Sequence, residues 1–346
     1  MAKYKPVKVG IIGIGRAGWG MHRTEMAPKP TKFQIVAGAD LVEERALKLE
    51  SDTGATPYTD YKDLLKDDNV ELAVVATRSD SHAQIVVDAL KAGKHVIAEK
   101  PFGLNVREVD RIIRAADKAK GKLLVRQNRR YDDDYLHIRE VMKSKVLGDI
   151  FMVKLYRQGY QRRADWQTLE QFGGGHINNW GPHIVDHGLL LLESEVKEFW
   201  ADVKLIAARG DAEDHFKLIL KGKNDRVVDI EVSMGMAKSA PAWQIFGTRG
   251  ALTCDGTKTE LRYLDPKQKL KPVKADPGNP PMEGAFGNKE TLKWVEKKVD
   301  AKPKKKHPDF YDAVFDTLKK GKKFGVTPQE ARQVVYWSEK ARKKGW

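Results

Sequence analysis

The chain has 346 residues, 41% of them apolar and 32% charged, with a formal net charge of +15. That apolar share excludes a disordered chain, the length suggests about two domains, and no apolar run approaches the ~18 residues a membrane span needs. The single Cys254 excludes an internal disulfide.

Much of the charge lies late: from Lys258 to Trp346 there are 23 Lys/Arg against 12 Asp/Glu. The lysines stand in "KPKKK", "LKKGKK" and "ARKKG" with no interleaved aromatics, so they read as a solvated surface and not as a nucleic-acid stripe. The opening "MAKYKPVKVGIIGIG" lacks the pattern of a secretory leader. These features predict a soluble, cytoplasmic protein without nucleic-acid or membrane partners.

In chain order, Val7 to Ile12 is a β-branched apolar run, a buried strand. "GIGRAG", Gly13 to Gly18, follows and opens a helical stretch to about Ala27. Phe33 to Ala39 is a second strand ending at Asp40, and "EERALKLESDTG" is a helix stopped by Gly54. "ELAVVAT" is a third strand. "SHAQIVVDALKAG" is a helix capped by Ser81 and stopped by Gly93, and "HVIAEK" is a fourth strand. "NVREVDRIIRAADKAKG" is a helix with an Asn cap, and "KLLVRQ" is one more strand. Strands alternating with helices at this spacing predict a doubly wound parallel sheet, a Rossmann domain over residues 1–126.

The pattern changes near residue 127. Asp133 to Ser144 reads as a helix, and after Gly148 strand patterns dominate, from "IFMVKLYRQGY" through "VKEFWADVKLIA", "DHFKLILKG" and "RVVDIEVSMGM" to "AWQIFGTRGALTCDG". Residues 265–290, rich in Pro and Gly, read as a long surface loop. Two helices close the chain, the second capped by Thr327 with Pro328 at its first position. Residues 127–346 are therefore expected to form a second domain around an antiparallel sheet.

The glycine turn is the first candidate site. Gly13 permits the tight turn, Gly15 lets backbone approach a pyrophosphate, and Gly18 lets helix and strand pack closely. Arg16 and Ala17 complete the loop, and the helix N-terminus supplies N–H donors to phosphate. Asp40 stands where a carboxylate takes the ribose hydroxyls and repels a 2′-phosphate, which favours NAD. Arg16 or Arg45 could offset that repulsion, so NADP stays open. Thr77, His82, Glu99 and Lys100 are further candidate cofactor contacts.

The second candidate site is "FGGGHINNWGPHIVDHGLLLL", residues 172–192. His183, Asp186 and Leu190 fall at helical spacing on one face, joined by Asn179 if the helix starts that early. His176, His183 and His187 lie within 12 residues, each read either as a hydrogen-bonded structural imidazole or as a functional one. With no spaced Cys pairs and no HExxH, a metal site is not expected.

"GIGRAG", "AEKPFG" around Lys100 and "GGGHINNWGPHIVDH" together resemble the glucose–fructose oxidoreductase / inositol dehydrogenase family. "HAQIVVDALKAGKHVIAEKP" is the most specific stretch, and the similarity extends to the closing "FYDAVFDTLKKGKKFGVTPQEARQVV", so it covers almost the whole chain. The resemblance implies a Rossmann domain followed by an α/β domain with an open, mostly antiparallel sheet. It also implies nicotinamide-dependent oxidation or reduction of a small carbohydrate-like alcohol or ketone.

Pro101 biases Lys100 to an extended conformation at the carboxyl edge of the sheet. There its ammonium could bond the reacting hydroxyl, the part the resemblance assigns to Lys100; the alternative is an ion pair with a nearby carboxylate. His183 matches the His of the family's Asp-x-Gly-x-His segment, suited to accept the hydroxyl proton. The family's Asp is Asn179 here, which carries no charge but both donates and accepts hydrogen bonds. Arg163, Trp166 and His176 are further substrate candidates, with Asp165 beside them, while Asp186 either matches a family position or braces its helix. Trp19 and His22 read as packing.

Three functions follow from the resemblance. They are a dehydrogenase of a sugar, sugar derivative or cyclitol, a glycoside-cleaving enzyme that oxidises, eliminates and reduces again with NAD recycled, and a dinucleotide-binding regulator without turnover. The open sheet face needs covering, which suggests a homodimer or homotetramer.

Overall fold

The computed structural model describes residues 4–270, 272 and 290–345. Residue 271 and residues 273–289 of the expected 265–290 loop lie outside the described residues.

Six parallel strands make the first sheet, in the order β3-β2-β1-β4-β5-β6. They are β1 (Val7–Ile12), β2 (Phe33–Ala39), β3 (Thr56–Tyr58), β4 (Leu72–Val75), β5 (His95–Ala98) and β6 (Leu123–Val125). Their continuous apolar runs are what a sheet covered by helices on both faces requires. The covering elements include a π-wound turn (Gly18–Arg23) running into α1 (Thr24–Met26), then α2 (Glu43–Thr53), α3 (Tyr61–Lys66), α4 (His82–Lys91) and α5 (Val106–Lys118). The chain order reverses beside β1, so the loops after β1, β2, β4 and β5 meet at one carboxyl edge, where such folds bind ligands.

The local signals act as expected at most helix ends. Asn105 Oδ1 accepts from Glu108 N, and Gly54 closes α2 with φ of 73°. Ser81 differs: it precedes α4, but its hydroxyl bonds Thr77 Oγ1 and donates to Arg78 O instead of capping. A short 3₁₀ turn, Ser79–Ser81, aims it back toward the end of β4.

The second sheet has eight strands in the order β14-β13-β12-β11-β7-β10-β9-β8, antiparallel except for the β7–β10 pair. They are β7 (Ile150–Gln158), β8 (Val196–Lys204), β9 (His215–Gly222), β10 (Val227–Ser233), β11 (Trp243–Gly247), β12 (Gly250–Cys254), β13 (Lys258–Leu264) and β14 (Trp294–Asp300). Helices α6 (Asp133–Lys143), α7 (His176–Asn179) and α8 (Gly181–Leu192) belong to this half of the chain. Val185, Leu191 and Leu192 pack on Val153, Leu155, Leu218, Val228 and Ile230. The opposite face carries the polar side chains Lys154, Tyr156, Lys217, Asp229 and Glu231, with Lys217 tied to Asp229 (3.2 Å) and Glu231 (3.0 Å).

Three strands escape the sequence pattern: β3, β13 and β14. β13 alternates charged and buried residues, and β14 is a largely charged, exposed edge strand stabilised by its ladder to β13. The end of the chain returns to the first sheet. Phe310, Tyr311, Val314 and Phe315 of α9 (Phe310–Lys319) lie in the core of the first sheet, with Val7, Val9 and Phe33. The last helix, α10 (Pro328–Gly345), contributes Ala331 and Val335 to the first domain's core and Val334 and Ala341 to the second's. It begins with a reciprocal cap in which Glu330 N donates to Thr327 Oγ1 and Thr327 N to Glu330 Oε2.

Candidate active site

The glycine turn follows β1. Gly13 has φ of +90°, and a Cβ there would lie 2.8 Å from Ala76 and Thr77 backbone at the end of β4. A Cβ on Gly18 would lie 2.0 Å from Gly13 O. At Gly15 no protein atom lies within 4 Å of that position, so backbone there is open to a ligand. This is the arrangement a pyrophosphate needs: two glycines demanded by packing, one left bare. Ala17 lies within the same turn and Arg16 is exposed.

Asp40, at the end of β2, accepts from Ile14 N at 2.7 Å and from Val42 N at 3.0 Å, with Arg45 Nη1 at 3.4 Å. It therefore braces the glycine turn from the end of β2. Thr77 Oγ1 bonds Ser81 Oγ at 2.7 Å. His82 does not face the cofactor edge with a free nitrogen: its ring joins Thr77 O (2.9 Å) to Pro101 O (3.0 Å), tying the loop after β4 to the loop after β5.

Lys100 ends β5, and its peptide bond to Pro101 is cis. Its ammonium donates to Asn179 O at 3.1 Å and Asn179 Oδ1 at 3.3 Å. Among the described residues the Lys100 ammonium makes no ion pair; the neighbouring Glu99 accepts the Lys100 backbone N–H on one carboxylate oxygen (2.9 Å). Two of three ammonium donors go to Asn179, leaving one. Burial depresses the Lys100 pKa; Glu99 opposes this, while Arg16, Arg129 and Arg126 push the same way as burial.

His183 lies on α8, buried, with Nδ1 unpartnered. Burial, and next the charge of Lys100, hold its imidazole well below the ordinary value, so it is neutral at neutral pH. Asn179 closes α7 and His183 opens α8, with Pro182 between them, so one continuous helix does not carry both. Nor do the polar groups of α8 converge. Asp186 turns to Arg130, which donates to it from Nε (2.7 Å) and Nη2 (2.6 Å), and so braces the helix. His187 stacks on Tyr135 at 4.0 Å and is a packing group, its pKa pushed by burial to about 3.

Glu99 is engaged in a buried polar network. It is 4% exposed, with His22 Nε2 at 3.0 Å and Arg126 Nε at 2.8 Å on one oxygen. Burial alone would raise its pKa, but the His22 hydrogen bond and the Arg126 charge outweigh it and hold the carboxyl well below the usual range. Arg126 also reaches Glu25 at 2.6 Å, and His22 Nδ1 lies 2.6 Å from the Tyr311 hydroxyl of α9. His22 is thus more than packing: it belongs to a buried polar hub behind Lys100.

Arg163 spends its guanidinium on Asp165 (2.6 Å) and Gln167, and the three order a 3₁₀ turn, Trp166–Thr168. Trp166 lines a groove with Gly173, Gly174, Gly175, Asn178 and Asn179, so it stands beside the Lys100 anchor. His176 lines a neighbouring cleft with Arg163, Gln167 and Asp214, its pKa lowered to about 4 by burial and by Arg163. Sequence reading missed Arg129, Arg157 and Trp180. Both guanidinium groups lie against the Trp180 ring, at 4.6 and 4.2 Å from its centroid. The "NRRY" run held the one available signal, and nothing local marked Arg157.

Residues 7–127 match the model of an oxidoreductase family with an NAD-binding Rossmann fold, and residues 135–253 match the GFO/IDH/MocA C-terminal domain. An uncharacterized oxidoreductase of Schizosaccharomyces pombe, C115.03, is 29% identical over 98% of this chain and 97% of its own length. The scyllo-inositol 2-dehydrogenase (NADP(+)) IolW of Bacillus subtilis is 26% identical over 96% of this chain and 92% of its own. Among solved structures, an NAD-binding protein from Listeria innocua superposes with a TM-score of 0.84 at 26% identity, covering 99% of this chain and 98% of the other.

Proposed function

The chain belongs to the GFO/IDH/MocA oxidoreductase family and is an NAD(P)-dependent dehydrogenase acting on CH–OH groups, and from that premise we propose that its substrate is a secondary alcohol, or the matching ketone, of a sugar, sugar derivative or cyclitol. Lys100 and His183 are the groups at the reacting hydroxyl. One observation carries this reading: the Lys100 ammonium is anchored on Asn179 with a donor to spare, and its charge is the largest acting on the buried, neutral His183.

Gly13, Gly15 and Gly18 would hold the pyrophosphate and Asp40 the ribose, which favours NAD over NADP. The nicotinamide, when bound, supplies the hydride acceptor or donor. During oxidation His183 takes the hydroxyl proton. The free N–H of Lys100 bonds the same oxygen and stabilises the negative charge gained there. Asn179 holds the ammonium in place and takes no proton. Trp166 and His176 border the space left for the rest of the substrate. The reading places the enzyme in the cytoplasm as a homodimer or homotetramer covering the open sheet face. The test is absorbance at 340 nm with NAD and with NADP across free sugars, sugar acids and cyclitols. Reduction with one substrate class supports it; none with any class, by a protein that binds NAD, overturns it.

A further inference from the structure

We propose that Arg157 and Arg129, gathered at the Trp180 ring beside His183, form a subsite for an anionic group of the substrate, a carboxylate or a phosphate. The inference rests on the dehydrogenase reading, which it narrows to charged sugars.

The inward row of β7 is Val153, Leu155 and Arg157, opposite Val228, Ile230 and Val232 of β10. The first two are buried in the core. The third, opposite the buried Val232, lays its guanidinium 4.2 Å from the Trp180 centroid. Arg129 stands on the 3₁₀ turn Asn128–Tyr131 that follows β6 and reaches the same ring at 4.6 Å. One cation suffices to cover an indole face. Two like charges there repel each other, and Arg129 lowers the Arg157 pKa in addition to burial. Such a pair is stabilised when an anion sits between or beside its members.

The neighbouring carboxylates do not supply that anion. Asp132 serves Arg129, at 2.7 Å, but the Arg157 guanidinium has no ion pair and donates no hydrogen bond among the described residues. Glu99 is engaged by Arg126 and His22, Asp186 by Arg130, and Asp165 by Arg163. Arg157 is exposed, so its donors are open to a ligand. The Trp180 centroid lies 6.0 Å from that of His183, and the charge of Arg129 acts on both Lys100 and His183. An anion at this pair would therefore lie near the reacting carbon, on the same small molecule. Arg forks suit the planar, bidentate acceptors of carboxylate and phosphate equally, so the two sources must be separated by experiment.

The experiment is calorimetric titration of the NAD-loaded protein with D-glucuronate, D-glucose 6-phosphate and D-glucose at low and high salt, for wild type, Arg157→Gln and Arg157→Lys. One of the charged sugars should bind at least about tenfold tighter than D-glucose, with the advantage shrinking at high salt. Preference for glucuronate assigns a carboxylate, and preference for the 6-phosphate assigns a phosphate. Arg157→Gln should bring the charged-to-neutral ratio near one, with Arg157→Lys between. That comparison also separates the subsite from general attraction by a +15 chain. Equal affinities in the wild type, no binding of either charged sugar, or a full preference retained in Arg157→Gln each overturn the subsite. If Arg157→Gln does not fold, the Arg157→Lys ratio and the wild-type salt dependence decide. Charged-sugar binding without turnover of any carbohydrate would sink the dehydrogenase reading and leave the subsite standing; turnover of neutral sugars without charge preference would do the reverse.

Discussion

Lys100 Nζ donates to both the main-chain carbonyl (3.1 Å) and the side-chain Oδ1 (3.3 Å) of Asn179, 79 residues further along the chain. This bridge joins the carboxyl edge of the first sheet to the short helix in front of His183. Lys100→Ala should lower kcat by about 10²–10³-fold, the size of losing one preorganised donor to a developing oxyanion. The NAD dissociation constant should stay within about twofold. Wild-type turnover in this variant would end the proposed role of Lys100.

The pH profile should report both groups. The His183 pKa is depressed, so its proton-accepting neutral form persists as pH falls below 6.5, and the acid limb of kcat/KM should lie below 6.5. The Lys100 pKa is also depressed, so its ammonium is lost below 10.5 and the alkaline limb should lie below 10.5. Asn179→Asp adds a carboxylate against Lys100, favouring the charged form of both groups. Both limbs should move up by about one pH unit or more. An unmoved profile in an active Asn179→Asp enzyme would show that neither limb belongs to this pair.

Two glycine variants should separate packing from cofactor contact. Gly18→Ala drives a Cβ to 2.0 Å from Gly13 O, so it should lower both the melting temperature and NAD affinity. At Gly15 the added methyl meets no protein atom within 4 Å. Gly15→Ala should therefore leave the apo melting temperature within about a degree while weakening NAD binding about tenfold or more. Unchanged NAD affinity in Gly15→Ala would place the pyrophosphate elsewhere.

Asp40 is expected to make NAD the better cofactor. Asp40→Ser removes the charge that repels a 2′-phosphate, and it also removes the acceptor for Ile14 N. The ratio of kcat/KM for NADP over NAD should rise by about tenfold or more, with a fall for NAD in absolute terms. Steady-state kinetics with both cofactors tests this, and an unchanged ratio would remove Asp40 from the ribose site.

The buried hub gives a stability prediction. Glu99→Gln leaves Arg126 without its buried countercharge, which should cost about 3 kcal/mol or more. Glu99 has a pKa depressed below its ordinary 4.5, so its stabilisation is complete above 4.5 and fades as pH falls below it. Thermal denaturation should show a large gap between wild type and variant at pH 7 that narrows at pH 3.5. A gap independent of pH would mean that shape, and not charge, is what Glu99 contributes.

The parallel sheet and its edge were legible in the sequence because each signal there is local. Apolar runs such as "VGII" and "LAVV" demand burial on both sides, Asn105 and Thr327 cap the helices that follow them, and "GIGRAG" carries its geometry within six residues. Lys100 and His183 were legible only as members of a resemblance. The charged, exposed β14 was not, because ladder bonds to β13, and not side-chain periodicity, hold it straight. Nor was the fate of Glu99, His187 or Asp186 visible, since a buried charge or imidazole is defined by partners 27, 52 and 56 positions away, at Arg126, Tyr135 and Arg130. The convergence of Arg129 and Arg157 on Trp180 had no sequence mark, because one stands on the turn after β6 and the other on β7. Local sequence sets what a segment can form; which charges are neutralised and which are left facing a ligand depends on distances between segments, and only the packed chain decides those.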